Sequence, residues 1–412
     1  MEQLVKKYTD KLVTANLGER SGASQPLVGG LDDILVWNRK ADEIKVLEDV
    51  FKGLNINSLI FLRPKEPYGS LINFLGMDAL DPKKNNSGLI QPKDCETKTF
   101  LHDLPVIDEF NADQIIKVLK KRKSVIIVDR DHHGSFNQSA IIAHGSVSPE
   151  QGFVTISSVC FACFVKFFTD YLYDHQTRTT TGRARDLLNS IIPYIKPLSN
   201  HLPEFKNLII QNKKDVYSSI IEVGKKTIEY ELVDSYFGNA SFYWKNTLYI
   251  SQTGSSLDEL DGCIDPVPFD HSTSAGLTAS SELSAHLKII ETTGCKAILH
   301  GHPKFCVIAS MDCDPIKKAA CNFNEQCHIK CPEKRFAGTT PIVPGEVGTG
   351  TFGLCNTLPK ALEQTNNAIV YGHGLFTTGQ NDFSEAFYTM LQVENDCRNN
   401  YFEKINLKYY NS

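Results

Sequence analysis

Hydrophobic residues in the first half of the chain alternate between helical spacing and short apolar runs. Helical spacing occurs in three segments, 41–54, 69–80 and 112–123. Continuous apolar runs at 58–62 and 124–129 are too short for helices and predict buried strands. Strands that alternate with helices favour βαβ units and an α/β fold for this half.

The longest apolar stretch of the chain, 152–173, differs from these short runs. Lys166 and Asp170 interrupt it, and it is rich in serine and aromatic residues. A helix that crosses a bilayer needs about 20 nearly uncharged residues. We therefore predict a buried strand followed by a helix, rather than a membrane span.

A polar stretch with three prolines, 193–205, divides the chain and is typical of a linker. At about 150 residues per domain, the chain is long enough for two or three domains. We predict an N-terminal α/β domain over 1–200 and a second domain over 205–412. The second half is predicted to contain helices over 215–232 and 280–290, and strands over 240–244, 247–251, 297–300 and 368–371.

Composition and charge exclude several classes of partner. The net charge of −5 leaves no bulk attraction to nucleic acid or to anionic lipid. The one basic run, 120–123, continues a helical pattern, and we interpret it as the last turn of that helix. The first residues have no apolar stretch typical of a secretory signal. We expect a cytoplasmic protein that binds neither nucleic acid nor membrane.

Histidines at the ends of two predicted strands form the strongest local signal. His300 and His302 flank Gly301, and a strand presents residues with this spacing on one face. His373 follows another apolar strand and lies between two glycines, while Glu282 opens a helix before the first of these strands. Ordinary strand-end histidines and a first-turn acid also explain these features, so none of them alone identifies a metal site.

Three short segments combine glycine, hydroxyl or amide residues at a strand end or a helix start. They are Gly238-Asn239, Thr253-Gly254 and Ser280-Ser281. Backbone N–H groups in such turns, and at a helix N-terminus, can bind a phosphate. Turn formation and helix capping alone also explain these residues.

Taken in order, these segments and histidines resemble the class II aldolase/adducin superfamily over about 212–405. The resemblance implies a central, mainly antiparallel sheet flanked by helices, and a homotetramer with sites at subunit interfaces. It also implies that three histidines bind zinc or another divalent metal: His300, His302 and His373. It implies that Glu282 is the catalytic acid/base. The residues that it implies for the substrate phosphate are Gly238, Asn239, Thr253, Gly254, Ser280 and Ser281.

The implied chemistry is that of an aldolase. Three neutral imidazoles leave a position on zinc open for substrate, the ion stabilises an enediolate as a Lewis acid, and a neighbouring carboxylate moves the proton. We expect a metal-dependent aldolase-type lyase that acts on a small phosphorylated sugar or ketose. The alternatives are a dehydratase, decarboxylase or epimerase of the superfamily, or a non-catalytic adducin-like binding module. The family also uses a tyrosine near its site, for which Tyr409 and Tyr410 are candidates.

Cysteine is frequent in this chain, and seven of its twelve cysteines fall between positions 295 and 355. Four of them lie within 19 positions: Cys313, Cys321, Cys327 and Cys331. This group could enclose a structural zinc ion or an iron–sulfur cluster. Its spacing matches no standard pattern, so reduced thiols packed as small apolar groups and local disulfides stay open as alternatives.

The first half of the chain matches no family that its motifs identify. Its segment 129–134 (Asp-Arg-Asp-His-His-Gly) is either a second metal site or an ordinary loop at a strand end. We expect residues 1–200 either to dock onto the second domain or to cap its cleft and narrow the choice of substrate.

Overall fold

The computed structural model divides the chain into two compact units. The first comprises Met1–Tyr171 and Thr180–Lys196, and the second comprises Leu172–Thr179 and Pro197–Ser412. The structure describes residues 1–81, 88–129, 138–199, 201–233, 236–270, 272, 274, 277–324 and 326–407.

The first unit alternates helices and strands. In the described part of the chain these are α1 (Glu2–Thr14), β1 (Leu27–Leu31), β2 (Leu35–Trp37), α2 (Ile44–Gly53), β3 (Ser58–Leu62), α3 (Tyr68–Ala79), β4 (Leu89–Ile90), α4 (Cys95–Leu101), β5 (Leu104–Ile107), α5 (Ala112–Leu119), β6 (Ser124–Asp129), β7 (Gln138–Gly145), α6 (Pro149–Gln176) and α7 (Gly182–Ile191). The last residues of helix α6 belong to the second unit.

The strands of the first unit form one sheet in the order β2-β1-β3-β7-β6-β5-β4. Strands β5 and β6 are parallel and α5 connects them, so they form a βαβ unit. The other described neighbours are antiparallel. The expectation of repeated βαβ units is therefore wrong outside this one, because alternation along the chain does not decide which strands pair.

Side-chain periodicity explains the core of the first unit. Leu59 and Phe61, which alternate along β3, belong to one buried cluster with Leu47 of α2 and Ile115 of α5. The side chain of Asn111 accepts hydrogen bonds from the first N–H groups of α5, as expected of an N-cap. Helix α5 ends one residue before the basic run 120–123, so the interpretation of that run as its last turn is wrong.

The apolar stretch 152–173 lies entirely within α6, so the predicted strand at its start is wrong. An unbroken apolar run has no period that separates a buried strand from a buried helix. Among the described residues, α6 is the one helix long and apolar enough to cross a membrane by length and composition. In its most apolar window 83% of the residues are buried, which is typical of a core helix in a globular protein.

The second unit is built from a larger sheet and its helices. In the described part of the chain these are α8 (Lys213–Glu229), β8 (Gly238–Trp244), β9 (Thr247–Ser251), β10 (Ile264–Pro268), α9 (Leu283–Thr293), β11 (Ala297–Gly301), α10 (Lys304–Met311), α11 (Pro315–Ala320), β12 (Arg335–Ala337), β13 (Thr340–Val343), α12 (Leu354–Leu362), β14 (Asn367–Val370), β15 (Gly374–Gly379) and α13 (Phe383–Lys404).

The strand order of the second sheet is β10-β9-β8-β11-β15-β14-β13-β12. Strands β13 and β14 pair in parallel, and the other described neighbours are antiparallel. Helices α9 and α12 bury one cluster with strand residues, among them Ile298 and Phe376. This architecture confirms the predicted mainly antiparallel sheet flanked by helices. Two residues beyond Ile298, β11 places His300 on the same face of the sheet.

Candidate metal centre

The ends of three neighbouring strands meet at one edge of the second sheet. Strand β8 begins at Gly238, β11 ends at Gly301, and β15 begins just after His373. Because β11 is antiparallel to both neighbours, Gly238 and Leu375 lie directly beside Gly301. Residues that are far apart in sequence are thereby brought to one place.

The three predicted histidines converge at this edge. One ring nitrogen of each of His300, His302 and His373 lies within 4.8 Å of the others, and all three residues are buried. The Nε2 atoms of His300 and His302 are 3.0 Å apart. His300 also stacks on Phe376, with ring centroids 3.9 Å apart, so the sheet fixes the plane of its imidazole.

The protonation of these imidazoles suits a metal ligand set. Burial lowers the pKa of His300 to about 4. Burial, together with His373 and His300, lowers the pKa of His302 well below its ordinary value. His300 Nδ1 donates to the carbonyl oxygen of Leu375 at 3.0 Å, which leaves the lone pair of Nε2 directed at the other histidines. The buried Nδ1 of His302 has no hydrogen-bond partner among the described residues.

Three histidine nitrogens at this spacing fit a divalent cation such as zinc, with room for a further ligand. A set of three histidines is typical of catalytic zinc sites, whereas a structural zinc site normally has four protein ligands.

Glu282 lies against the histidines. It occupies the N-cap position of α9, so the helix begins at Leu283, three residues later than the sequence predicted. Its Oε1 accepts a hydrogen bond from His373 Nε2 at 2.8 Å, and its Oε2 accepts one from Asn239 Nδ2 at 2.6 Å. Burial raises the pKa of this carboxyl, but His300 and the hydrogen bonds from His373 and Asn239 outweigh burial. The pKa is thus held below its ordinary value, and Glu282 is ionised at neutral pH.

The two loops predicted to bind phosphate lie side by side next to Glu282. Gln252 pairs with Ala279 across them, and Thr253 N–H donates to the carbonyl of Thr278 at 3.0 Å. Gln252 and Thr278 also donate to the two carboxylate oxygens of Asp265, at 2.8 and 2.6 Å. These contacts join the two loops into one surface, in which Thr253, Gly254 and Ser281 are exposed and Ser280 is buried.

The predicted pair Gly238-Asn239 has a different environment from these loops. Asn239 is buried and its amide donates to the carboxylate of Glu282, so it can hold that carboxylate in place. A contact of Asn239 with phosphate stays a prediction. At Gly238, an added Cβ would lie 2.5 Å from the carbonyl oxygen of His300, so the close strand pairing requires glycine.

Sequence reasoning missed His286, which is completely buried one turn after Glu282 on α9. Its Nδ1 is 2.7 Å from Ser241 Oγ, and its Nε2 has no partner among the described residues. The sequence signal that could have identified His286 is its position four residues after Glu282, because side chains with this spacing are neighbours on a helix. Burial lowers the pKa of His286 to about 4, so this ring is neutral.

The four cysteines singled out by spacing line one cavity of about 840 Å³ in the second unit. We call them the cysteine cluster: Cys313, Cys321, Cys327 and Cys331. All four are half-buried free thiols. Their sulfur atoms do not form a compact ligand group like that of the histidines in the described part of the chain. A metal or iron–sulfur centre there stays a prediction.

Two further predictions fall on residues that the structure does not describe. Most of the segment 129–134, a candidate second metal site, lies outside the described residues, as do Tyr409 and Tyr410.

Residues 218–401 match the family model described as the Class II Aldolase and Adducin N-terminal domain. An L-fuculose phosphate aldolase of Methanococcus maripaludis strain C7 is 29% identical over 168 residues, which cover 40% of this chain and 84% of that protein. Its counterpart in strain C5 is 26% identical over 168 residues, which cover 40% of this chain and 83% of that protein.

Among solved structures, the l-fuculose-1-phosphate aldolase of Thermus thermophilus is 19% identical, with a TM-score of 0.36. The matched residues cover 48% of this chain and 98% of the aldolase chain. The family match confirms the predicted resemblance: residues 218–401 form a class II aldolase-like domain.

Proposed function

We propose that the second unit is a divalent-metal-dependent aldehyde lyase. Its substrate would be a small phosphorylated sugar or ketose, cleaved at the C–C bond between the carbons α and β to a carbonyl. The observation that carries the proposal is the convergence of three buried histidine nitrogens within 4.8 Å, directly beside an ionised carboxylate.

The three histidines, His300, His302 and His373, would hold the ion, and zinc is the cation that best suits such ligands. When bound, the ion would supply Lewis-acid polarisation of the substrate carbonyl. The enclosed position of the histidines, each no more than 6% exposed, would keep bulk water away from the reacting carbon.

Glu282 would move the proton. Asn239 fixes its Oε2, so the carboxylate keeps one orientation. The partner of Oε1 is His373 Nε2, which cannot donate this hydrogen bond while it serves as a metal ligand. Oε1 would then be free to remove or return the proton on the carbon next to the carbonyl, and proton transfer of this kind contributes about 10²–10⁴-fold to a rate.

The joined loops around Gln252 and Ala279 would hold the phosphate, because they present exposed Thr253, Gly254 and Ser281 next to the helix that starts at Glu282. Phosphate held there would position the carbon skeleton for the reaction. The family resemblance adds a homotetramer to the proposal, and the sequence expectation adds a cytoplasmic location.

A condensation assay tests the reaction class. The full chain, loaded with zinc, is incubated with dihydroxyacetone phosphate and a panel of aldehydes, and new C–C bonds are detected by mass spectrometry. Condensation products are expected. Release of water or carbon dioxide from candidate substrates would instead identify a dehydratase or a decarboxylase, and binding without turnover would identify an adducin-like module.

Two variants test the assigned roles. Glu282→Gln should keep bound metal but lower turnover by about 10²–10⁴-fold, whereas Glu291→Gln, an exposed carboxylate on the same helix, should change neither. His302→Ala should lose the ion, as counted by atomic absorption. Normal turnover of Glu282→Gln, or full occupancy of the histidine site in His302→Ala, would contradict the mechanism.

A further inference from the structure

The segment 312–339, between α10 and β13, has almost no hydrophobic anchor. None of its described residues is buried, and Ile316 and Phe336 are 81% and 57% exposed. Its regular structure consists of the six-residue helix α11 and the three-residue strand β12. Burial of apolar surface is the main favourable contribution to folding. Because this segment buries so little, it requires another source of stability.

Polar contacts hold the start of the segment, where Asp312 accepts from Lys404 and Gln176 and its carbonyl oxygen accepts from Arg335. Beyond it, polar contacts are weaker. Lys317 and Glu333 form an ion pair at 2.9 Å, but both side chains are more than half exposed. Exposed pairs of this kind stabilise a fold only weakly. Pairing of β12 with β13 fixes the end of the segment, while the described residues 321–324 and 326–334 contain turns without strand pairing.

The cysteine cluster lies within this weakly held segment. All four thiols line the 840 Å³ cavity, as do Phe305 of α10 and Tyr401 of α13. Cys313, Cys327 and Cys331 line the same cavity. Burial raises the pKa of Cys313, and Cys327 and Cys331 raise it further. Arg335 acts in the opposite direction and favours the thiolate.

We propose that the cysteine cluster is a second metal site, which binds a zinc-type divalent cation through four thiolates and fastens segment 312–339. Four cysteine sulfurs are a closed, structural zinc donor set. The cation would displace the thiol protons to solvent, and the bond energy would replace the missing hydrophobic anchor. The turns within 321–334 can bring the sulfurs together, since no buried side chain in the described part of the segment opposes their movement.

This site is independent of the proposed lyase chemistry. It uses no residue of the histidine site, and its role is to stabilise rather than to react. Metal-free full-length protein, prepared under reducing conditions, is titrated with zinc alone. The bound metal is counted, and accessible thiols are measured with a chromogenic thiol reagent.

Two ions per chain are expected, one of them retained in His302→Ala. Of the seven half-buried thiols, four should become protected by zinc and three should stay reactive. The double variant Cys327→Ser/Cys331→Ser should lose one ion and be cleaved faster by trypsin within 312–339. The matched control Cys263→Ser/Cys355→Ser, also half-buried thiols, should retain both ions.

Three results would overturn the proposal. These are a single ion per chain with no protection of the four thiols, a brown protein that contains iron and sulfide, and loss of the thiols in pairs by oxidation without bound metal. If the double variant does not fold, zinc protection of the thiols in the unmodified chain still decides the question.

Discussion

Gly374 offers a direct test of the candidate metal centre, because it is not a ligand itself but lies against the rings of His300 and His302. A Cβ at this position would lie 2.4 Å from the carbonyl oxygen of Gly301, 2.6 Å from Cδ2 of His302 and 2.8 Å from Cε1 of His300. Gly374→Ala therefore forces both imidazoles and one backbone carbonyl to move, and no rotamer change at position 374 can relieve the contact.

The size of the effect follows from these distances. Carbon atoms in contact are normally about 3.5–4.0 Å apart, so each ring would have to shift by roughly half an ångström or more. Overpacking of this kind costs about 1–3 kcal/mol of stability. Changes that displace metal ligands without removing them lower the affinity about 10–100-fold, which corresponds to about 1.4–2.7 kcal/mol.

The measurement is a zinc titration in competition with a chromogenic chelator, with thermal unfolding recorded in parallel. Gly350→Ala is the matched control, since an added Cβ there meets nothing within 4 Å. We expect weaker zinc binding for Gly374→Ala and unchanged binding for the control. A Gly374→Ala protein that is folded, binds zinc with unchanged affinity at the histidine site and has unchanged turnover would refute the assigned geometry.

Three other predictions concern buried polar groups. Burial raises the pKa of Asp94 to about 6, above 3.8, so protonation stabilises the fold below about pH 4 and this contribution is lost as the pH rises through 6. Denaturant unfolding should show a loss of about 3 kcal/mol from this group between about pH 3 and 7, which Asp94→Asn should abolish. Asn239→Ala frees the carboxylate of Glu282 and should lower kcat more than bound metal, measured by steady-state kinetics and metal counting. Glu394→Ala removes the acceptor of two N–H groups at the start of α10 and should cost about 1–3 kcal/mol, whereas exposed Glu403→Ala should cost little.

Local patterns predicted many elements of the fold well. The runs 58–62, 124–129 and 247–251 coincide with β3, β6 and β9, since each is a short apolar segment bounded by polar or turn residues. Asn111 caps α5 by the local contact that its side chain predicts. In these places the cause of the structure lies within a few residues.

Predictions failed where distant contacts decide. The first sheet pairs β3 with β7, far apart in the chain, and no local pattern specifies that neighbour. Residues 152–165 of α6 are buried on nearly every side, so burial removed the periodicity that distinguishes a helix from a strand.

For the same reason, only some residues of the candidate site could be predicted from the sequence. His300, His302, His373 and Glu282 came from motif order and resemblance, and the structure brings all four together. The roles of Asn239 and His286 depend on which side chains face each other across β8 and α9.

Strand register also explains how the site tolerates the long cysteine-bearing segment between its ligands. His300 lies opposite Asn239 on one side and Phe376 on the other, in continuous antiparallel pairing. The positions of His300 and His373 are therefore set by β8, β11 and β15, whose neighbours in the sheet are fixed by buried residues such as Ile298. The segment between β11 and β14 starts at the end of one strand and ends at the start of another. Its length therefore does not alter the register of the strands. A long segment can thus acquire its own means of stabilisation, while the histidines keep the geometry that their strands impose.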